Sequence, residues 1–451
     1  MAENIEIILE NSTEIDTGER DQFQSKFGFI LACIGSAVGM GNIWMFPYRV
    51  GQFGGAAFLI PYFIFIILIG FTGVIGEITL GRAMKTGPLG AFEKAFKQRN
   101  LRGGTLVGMI PVLGSLAIAI GYSIVVGWIL KYCISSLTGT IMTDAAGPTF
   151  GALASNFGSI FWHVSALVIT FTLMALGVAG GIERVNKILM PAFFGLFIFL
   201  AFRIWTLPGA SEGYRYLFEL DFSALKNLNT WVYALGQAFF SLSLAGSGTV
   251  VYGSYLDKKA DVVNSAINIS FFDTVAALLA ALVVIPAVFA FGLEPGAGPG
   301  LMFVTLPMVF QNMPGGQIIA ILFFVAVLFA GITSLMNLFE TPIEALQNKL
   351  KLSRASAIAI VGVAALAVGI FLEGDALSPW MDFVSIYIIP LGALLAGIVI
   401  FWICKKGFAR EQAQEGRKKI IGKWFEPTTK YVFCGIAVFV YIMGCIYGGI
   451  G

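Results

Sequence analysis

Long apolar runs recur along the chain, separated by short polar connections. Runs of roughly 20 residues or nearly so, the length that crosses about 30 Å of hydrocarbon as a helix, fall at 27–50, 55–80, 105–130, 158–177, 186–206, 231–255, 262–292, 317–347, 355–372, 382–404 and 430–448. The pattern predicts an all-α polytopic membrane protein with eleven spans. Two runs contain many residues that weaken helices: "GSAVGMGNIWMFP" at 35–47, in the first span, and "SLSLAGSG" at 241–248, in the sixth. Unpaired backbone in hydrocarbon costs several kcal/mol per group, so such breaks survive only where protein buries them or they line a polar cavity.

The two breaks occupy equivalent positions in two groups of five spans, at about 27–206 and 231–404. Five is odd, so the second group enters the membrane from the opposite side and the repeats are inverted. Gly-rich interruptions at matching places point to a solute site near the bilayer midplane. Freed carbonyls there suit a cation, and the amino end of a half-helix suits a carboxylate. The chain thus divides into a polar N-terminal segment (1–26), a core (27–404), a loop (405–429) and an eleventh helix (430–451).

Composition narrows the class. The 451 residues are 57% hydrophobic and 12% charged, with a net charge of +2, which leaves the lipid bilayer as the partner and gives no reason to expect nucleic acid. No basic segment precedes a short apolar run at the start, so nothing reads as a cleaved signal. Basic residues cluster in alternate connections, among them Arg82, Lys85, Lys94 and Lys97, then Arg184 and Lys187, then Lys405, Lys406 and Arg410. By the positive-inside rule these face the cytoplasm, with the amino terminus inside and the carboxy terminus outside a cell membrane. The five cysteines lack metal-type spacing and read as packing residues. Neither a P-loop nor a nucleophile with a histidine base is present, so an enzyme is not expected. His163, the one histidine, lies near the end of span four and reads as interfacial. Glu340, near the end of span eight, reads either as a buried ion or as a group solvated in a vestibule.

"GFILACIGSAVGMGNIWMFPY", "GGAAFLIPYF", "GEITLGR", "GIERVNKILMP", "GQAFFSLSLAGSG", "GLEPGAGPGLMFVTLP" and "FAGITS", in this order over nearly the whole chain, resemble the bacterial branch of the neurotransmitter:sodium symporter family and its eleven-span subset. The resemblance implies the leucine-transporter fold and two sodium ions, with no organic cofactor. The first ion would be held by Ala37, Asn42, Ser241 and Asp273, and the second by Gly35, Val38, Ala330, Thr333 and Ser334. These are hard oxygen ligands, as an alkali cation requires. The substrate, a small zwitterion and foremost a neutral amino acid, would have its carboxylate near Ala37, Gly41 and Tyr122. Met40, Ile118, Phe240, Ser241, Ser243, Gly246, Ser334 and Leu338 would line the rest of its pocket. Glu77 would buttress the unwound part of span one.

Three positions depart from the family pattern. Met45 stands where an outer-gate arginine is usual, although its acidic partner is present as Asp382. Arg49, one turn further along, is the candidate replacement. Asn348 stands where an inner-gate aspartate faces Arg20, and Asp273 adds a carboxylate at the first sodium site. The expected function is sodium-coupled import by alternating access without chloride, the alternatives being a substrate sensor or a gated ion channel. The residues do not name the substrate or the oligomeric state.

Overall fold

A computed structural model describes residues 21–244, 247–293 and 300–450. Arg20 and Gly246 lie outside the described residues. Eight continuous helices among them are long and apolar enough to cross a membrane: Ala56–Met84, Gly104–Thr138, Val178–Trp205, Val262–Ala290, Gly316–Leu350, Arg354–Leu372, Leu377–Ile403 and Phe425–Tyr447. A ninth crossing is the pair Lys26–Ala37 and Gly41–Gln52, bent by 54°. The other two expected spans are met by shorter pieces, Ile160–Ala175 and the broken pair Leu228–Ser241 and Gly248–Ser254. In chain order these are spans one to eleven.

Local sequence explains where several helices start. Ser25, Asn227, Asp261 and Ser353 take extended backbone and accept hydrogen bonds from the first amides of spans one, six, seven and nine, the N-cap role suited to short polar side chains. The first half of span one is enclosed by spans five, seven and eight, and spans three and eight pack extensively on each other. The first half of span one therefore lies inside the bundle.

The C-terminal halves of spans two and six approach until backbone meets backbone. A Cβ on Gly253 would lie 2.6 Å from the Ile78 carbonyl oxygen, and one on Gly81 would collide with the Val250 carbonyl. Small residues permit this approach, which replaces an absent hydrophobic driving force between helices in lipid by close packing. Arg82, expected in a connection, is instead fully buried in span two. Its guanidinium donates to the carbonyls of Ala260, Gln412 and Glu415 and so ties two loops to the span. Arg184 and Lys187 likewise belong to the first turns of span five rather than to a connection.

Gly253→Ala should lower the melting temperature of the purified protein, because overpacking against rigid backbone costs about 1–3 kcal/mol. Gly435→Ala, where an added Cβ meets nothing within 4 Å, should leave it unchanged or raise it. Equal melting behaviour in the two variants would rule out the close seam.

Candidate functional site

Span one loses its helix after Ala37. Val38 is extended, with φ −72° and ψ 99°, and the chain resumes at Gly41 in a wide turn. Several backbone groups freed by the break have side-chain partners. The Ser36 carbonyl accepts from the hydroxyls of Ser243 (2.8 Å) and Ser334 (3.2 Å). Met40 N–H donates to the Tyr122 hydroxyl at 3.2 Å, and Gly39 N–H to Asn42 Oδ1 at 3.2 Å. Gln237 Nε2 donates to the Gly41 carbonyl at 2.8 Å. Buried backbone donors and acceptors must be paired, and the polar side chains that look out of place in apolar runs are the partners that meet this demand. In span six, Ser243 and Ser247 take positive φ (53° and 56°) on either side of the break.

Asn42, Ser241 and Asp273 form one buried cluster. Asn42 Nδ2 donates to Asp273 Oδ1 at 2.7 Å and to Ser241 Oγ at 3.1 Å, while Ser241 Oγ donates to Asp273 Oδ2 at 2.7 Å. Asp273 is fully buried, and no cationic side chain among the described residues pairs with it. A carboxylate removed from water with only neutral donors is costly, and a monovalent cation would offset that cost, although Asn42 turns Nδ2 to the carboxylate while its Oδ1 accepts from Gly39 N–H. The second set is less tightly drawn together. A Cβ on Gly35 would lie 3.0 Å from Thr333 Cβ, and Ser334 reaches the break through Ser36, but the Thr333 hydroxyl donates back to the Phe329 and Ala330 carbonyls at 3.0 and 3.1 Å.

A cavity of about 560 Å³ opens from the two breaks. Every residue expected to line the substrate pocket borders it, apart from Gly246, which is not described. Val125 and Trp128 of span three line it too; they follow Ile118 and Tyr122 at helical spacing, which is the signal that identifies them. The cavity continues to Arg49 and Asp382. Arg49 lies over the Tyr233 ring, 4.3 Å from its centroid, and forms no ion pair with Asp382. Glu77 is buried and accepts from the Thr249 hydroxyl in the C-terminal half of span six.

At the other end of the spans the described residues are joined by aromatic and polar contacts. Phe23 stacks edge-on with Phe29, Tyr252 and Tyr255. Tyr255 donates to Glu340 at 2.8 Å, and Arg354 grips the same carboxylate with two bonds of 2.9 Å. Glu340 is therefore a fully buried ion rather than a solvated one. Asn348 donates to Thr86 Oγ1 at 2.6 Å and to Glu344 at 3.3 Å. His163 is also buried rather than interfacial: Nε2 lies 2.9 Å from Ser123 Oγ and Nδ1 3.4 Å from Glu373. Periodicity alone does not separate these inward-facing polar groups from surface ones, because their partners are distant in sequence.

Glu340→Gln should destabilise the protein by about 3 kcal/mol, since it leaves a buried guanidinium without its counter-ion. Adding Arg354→Met should recover much of the loss. Thermal unfolding of both variants checks this, and a wild-type melting temperature for the single variant would contradict the pairing.

The chain matches the Sodium:neurotransmitter symporter family over residues 20–152 and 150–447. It is 36% identical over 396 residues to a sodium-dependent transporter of Bacillus subtilis, covering 84% of this chain and 87% of the relative. It is 32% identical over 441 residues to one of Methanocaldococcus jannaschii, covering 90% and 87%. A stretch of 298 residues is 31% identical to the sodium-dependent neutral amino acid transporter B(0)AT3 of Rattus norvegicus, covering 59% of this chain and 47% of that one. Among solved structures it resembles MhsT in complex with L-phenylalanine, with a TM-score of 0.84, 34% identity, and coverage of 94% of this chain and 99% of that one. Broken spans one and six around one cavity, a family match over nearly the whole chain and this structural likeness agree: the chain belongs to the sodium:neurotransmitter symporter family, multi-pass membrane transporters of the leucine-transporter fold that depend on sodium and are not enzymes.

Proposed function

We propose that this protein imports a neutral amino acid with an apolar side chain, together with two sodium ions and without chloride. The observation that carries this reading is the junction of three features at one cavity: the amino end of Gly41–Gln52, Tyr122, and Ser241, which joins the cavity wall to the buried Asn42 and Asp273. Tyr122 accepts from Met40 N–H, which leaves its own hydrogen available for a carboxylate. The helix end adds partial positive charge for the same group. The wall beyond is formed by Ile118, Phe240 and Leu338, which favours an apolar side chain over a charged one. The relative MhsT, whose structure contains L-phenylalanine, supports the same class.

Sodium would be held by Ala37, Asn42, Ser241 and Asp273 at one site and by Gly35, Val38, Ala330, Thr333 and Ser334 at the other. Ions entering down their gradient supply the work, roughly 2.3 kcal/mol for each charge crossing 100 mV. Asp273 carries a fixed negative charge within the first site, which removes the electrostatic need for chloride. Spans one, two, six and seven would rock as a bundle against the rest, with the amino terminus inside and the carboxy terminus outside. On that reading Arg49 swings from Tyr233 to Asp382 when the outer side closes.

Proteoliposomes with an inward sodium gradient should accumulate an apolar amino acid, and replacing chloride by gluconate should not change the rate. Asn42→Leu and Thr333→Val should each abolish sodium stimulation; persistence of full stimulation in both would reject the ion sites. For the outer gate, a double-mutant cycle on Arg49→Ala and Asp382→Ala should give coupling above the ~0.5 kcal/mol scatter of independent sites. Additive effects would leave Arg49 as an anchor at the vestibule rim.

A further inference from the structure

Span five carries a polar side chain in the interior that has no part in the transport mechanism above. Asn186 is fully buried. Its Nδ2 donates to the Ile182 carbonyl one turn back, at 2.8 Å, and that acceptor fixes the orientation of the amide, with the oxygen turned away from its own helix. Oδ1 then has no hydrogen-bond donor. It points at Gly35 of span one, where an added Cβ would collide with this oxygen and lie 3.0 Å from Thr333 Cβ. The missing side chain at Gly35 is what admits an amide from span five to the boundary between spans one and eight.

Thr333 faces the same glycine with its hydroxyl hydrogen already engaged by the Phe329 and Ala330 carbonyls. Its oxygen keeps lone pairs to offer. Asn186 Oδ1 therefore lies against Gly35 in an apolar interior, with Thr333 Cβ beside the same glycine, and the described residues supply no donor to that oxygen. Buried polar atoms of this kind are rare and call for a partner. With no N–H or O–H donor present, a hard cation would satisfy that oxygen, an acceptor of the kind such ions bind. Glu183, three residues earlier on span five, is already bound by Gln24 N, Ser25 Oγ and Lys187 and so is not a competitor for the amide.

We propose that Asn186 Oδ1 is an additional ligand of the sodium ion held at Gly35 and Thr333, an inference that rests on the second sodium site described above. Asn186 then tunes how tightly that ion is kept, from a span that contributes no other ligand. The alternative is that the oxygen merely packs on Gly35 through a weak Cα–H contact, in which case it has no bearing on sodium.

Sodium alone serves as the probe, with choline replacing it at constant ionic strength. A ligand that binds only the folded state raises the melting temperature as its concentration passes the dissociation constant. The wild type should show such a rise, Asn186→Ala should move its midpoint to about tenfold higher sodium, and Asn186→Asp, which keeps an oxygen and adds charge, should move it lower. An Asn186→Ala midpoint within twofold of wild type overturns the proposal. If that variant does not fold, an Asn186→Asp midpoint no lower than wild type overturns it instead. A wild type with no sodium response rejects the sodium sites themselves, which separates failure of the transport reading from failure of this one.

Discussion

An interrupted helix in an apolar interior must find partners for every backbone group it exposes, and the centre of this protein is organised by that requirement. The break in span one frees groups at Ser36, Gly39, Met40 and Gly41, and they are met from spans three, six and eight and from Asn42. Those partners are what bring Tyr122, Ser243 and Ser334 to a common point. The cavity and its polar lining are therefore the same fact as the satisfaction of the backbone, seen from the side of the solvent. A continuous helix would need none of these side chains and would leave no opening.

Buried charges divide into two kinds. Glu340 has a guanidinium on it and Arg82 is surrounded by carbonyls, so both are neutralised or solvated by permanent partners. Asp273 and Glu77 have only neutral hydrogen-bond donors among the described residues. Permanent pairs hold parts together, whereas a carboxylate with neutral partners keeps capacity for a mobile ion. This contrast separates Asp273 and Glu77 from Glu340, although all three are acidic residues inside spans.

Hydropathy and the two Gly-rich breaks make the spans and the centre of the site legible, because membrane thickness and backbone satisfaction impose strong local patterns. Asn42, Tyr122, Ser241 and Asp273 are legible as a group only through the family resemblance, since spans one, three, six and seven supply one each. Arg82, Glu340 and His163 escape a reading of the sequence for one shared reason. Each sits near the end of a hydrophobic run, where a solvated charge and a buried one give the same sequence pattern, and the deciding partner lies elsewhere in the chain. Asn186 illustrates the same limit: within "GIERVNKILMP" nothing marks it apart from neighbours that reach the surface.

The seam between spans two and six has an evolutionary consequence. At Gly81 and Gly253 the obstacle is the neighbour's main chain, which every residue type possesses. No substitution on the facing helix can therefore make room for a side chain at either position, and only a shift of one whole helix would do so. Such positions cannot drift through paired compensating changes, as side-chain contacts commonly do. The seam is thus a part of the sequence where variation is closed off by geometry alone, independently of what the transporter carries.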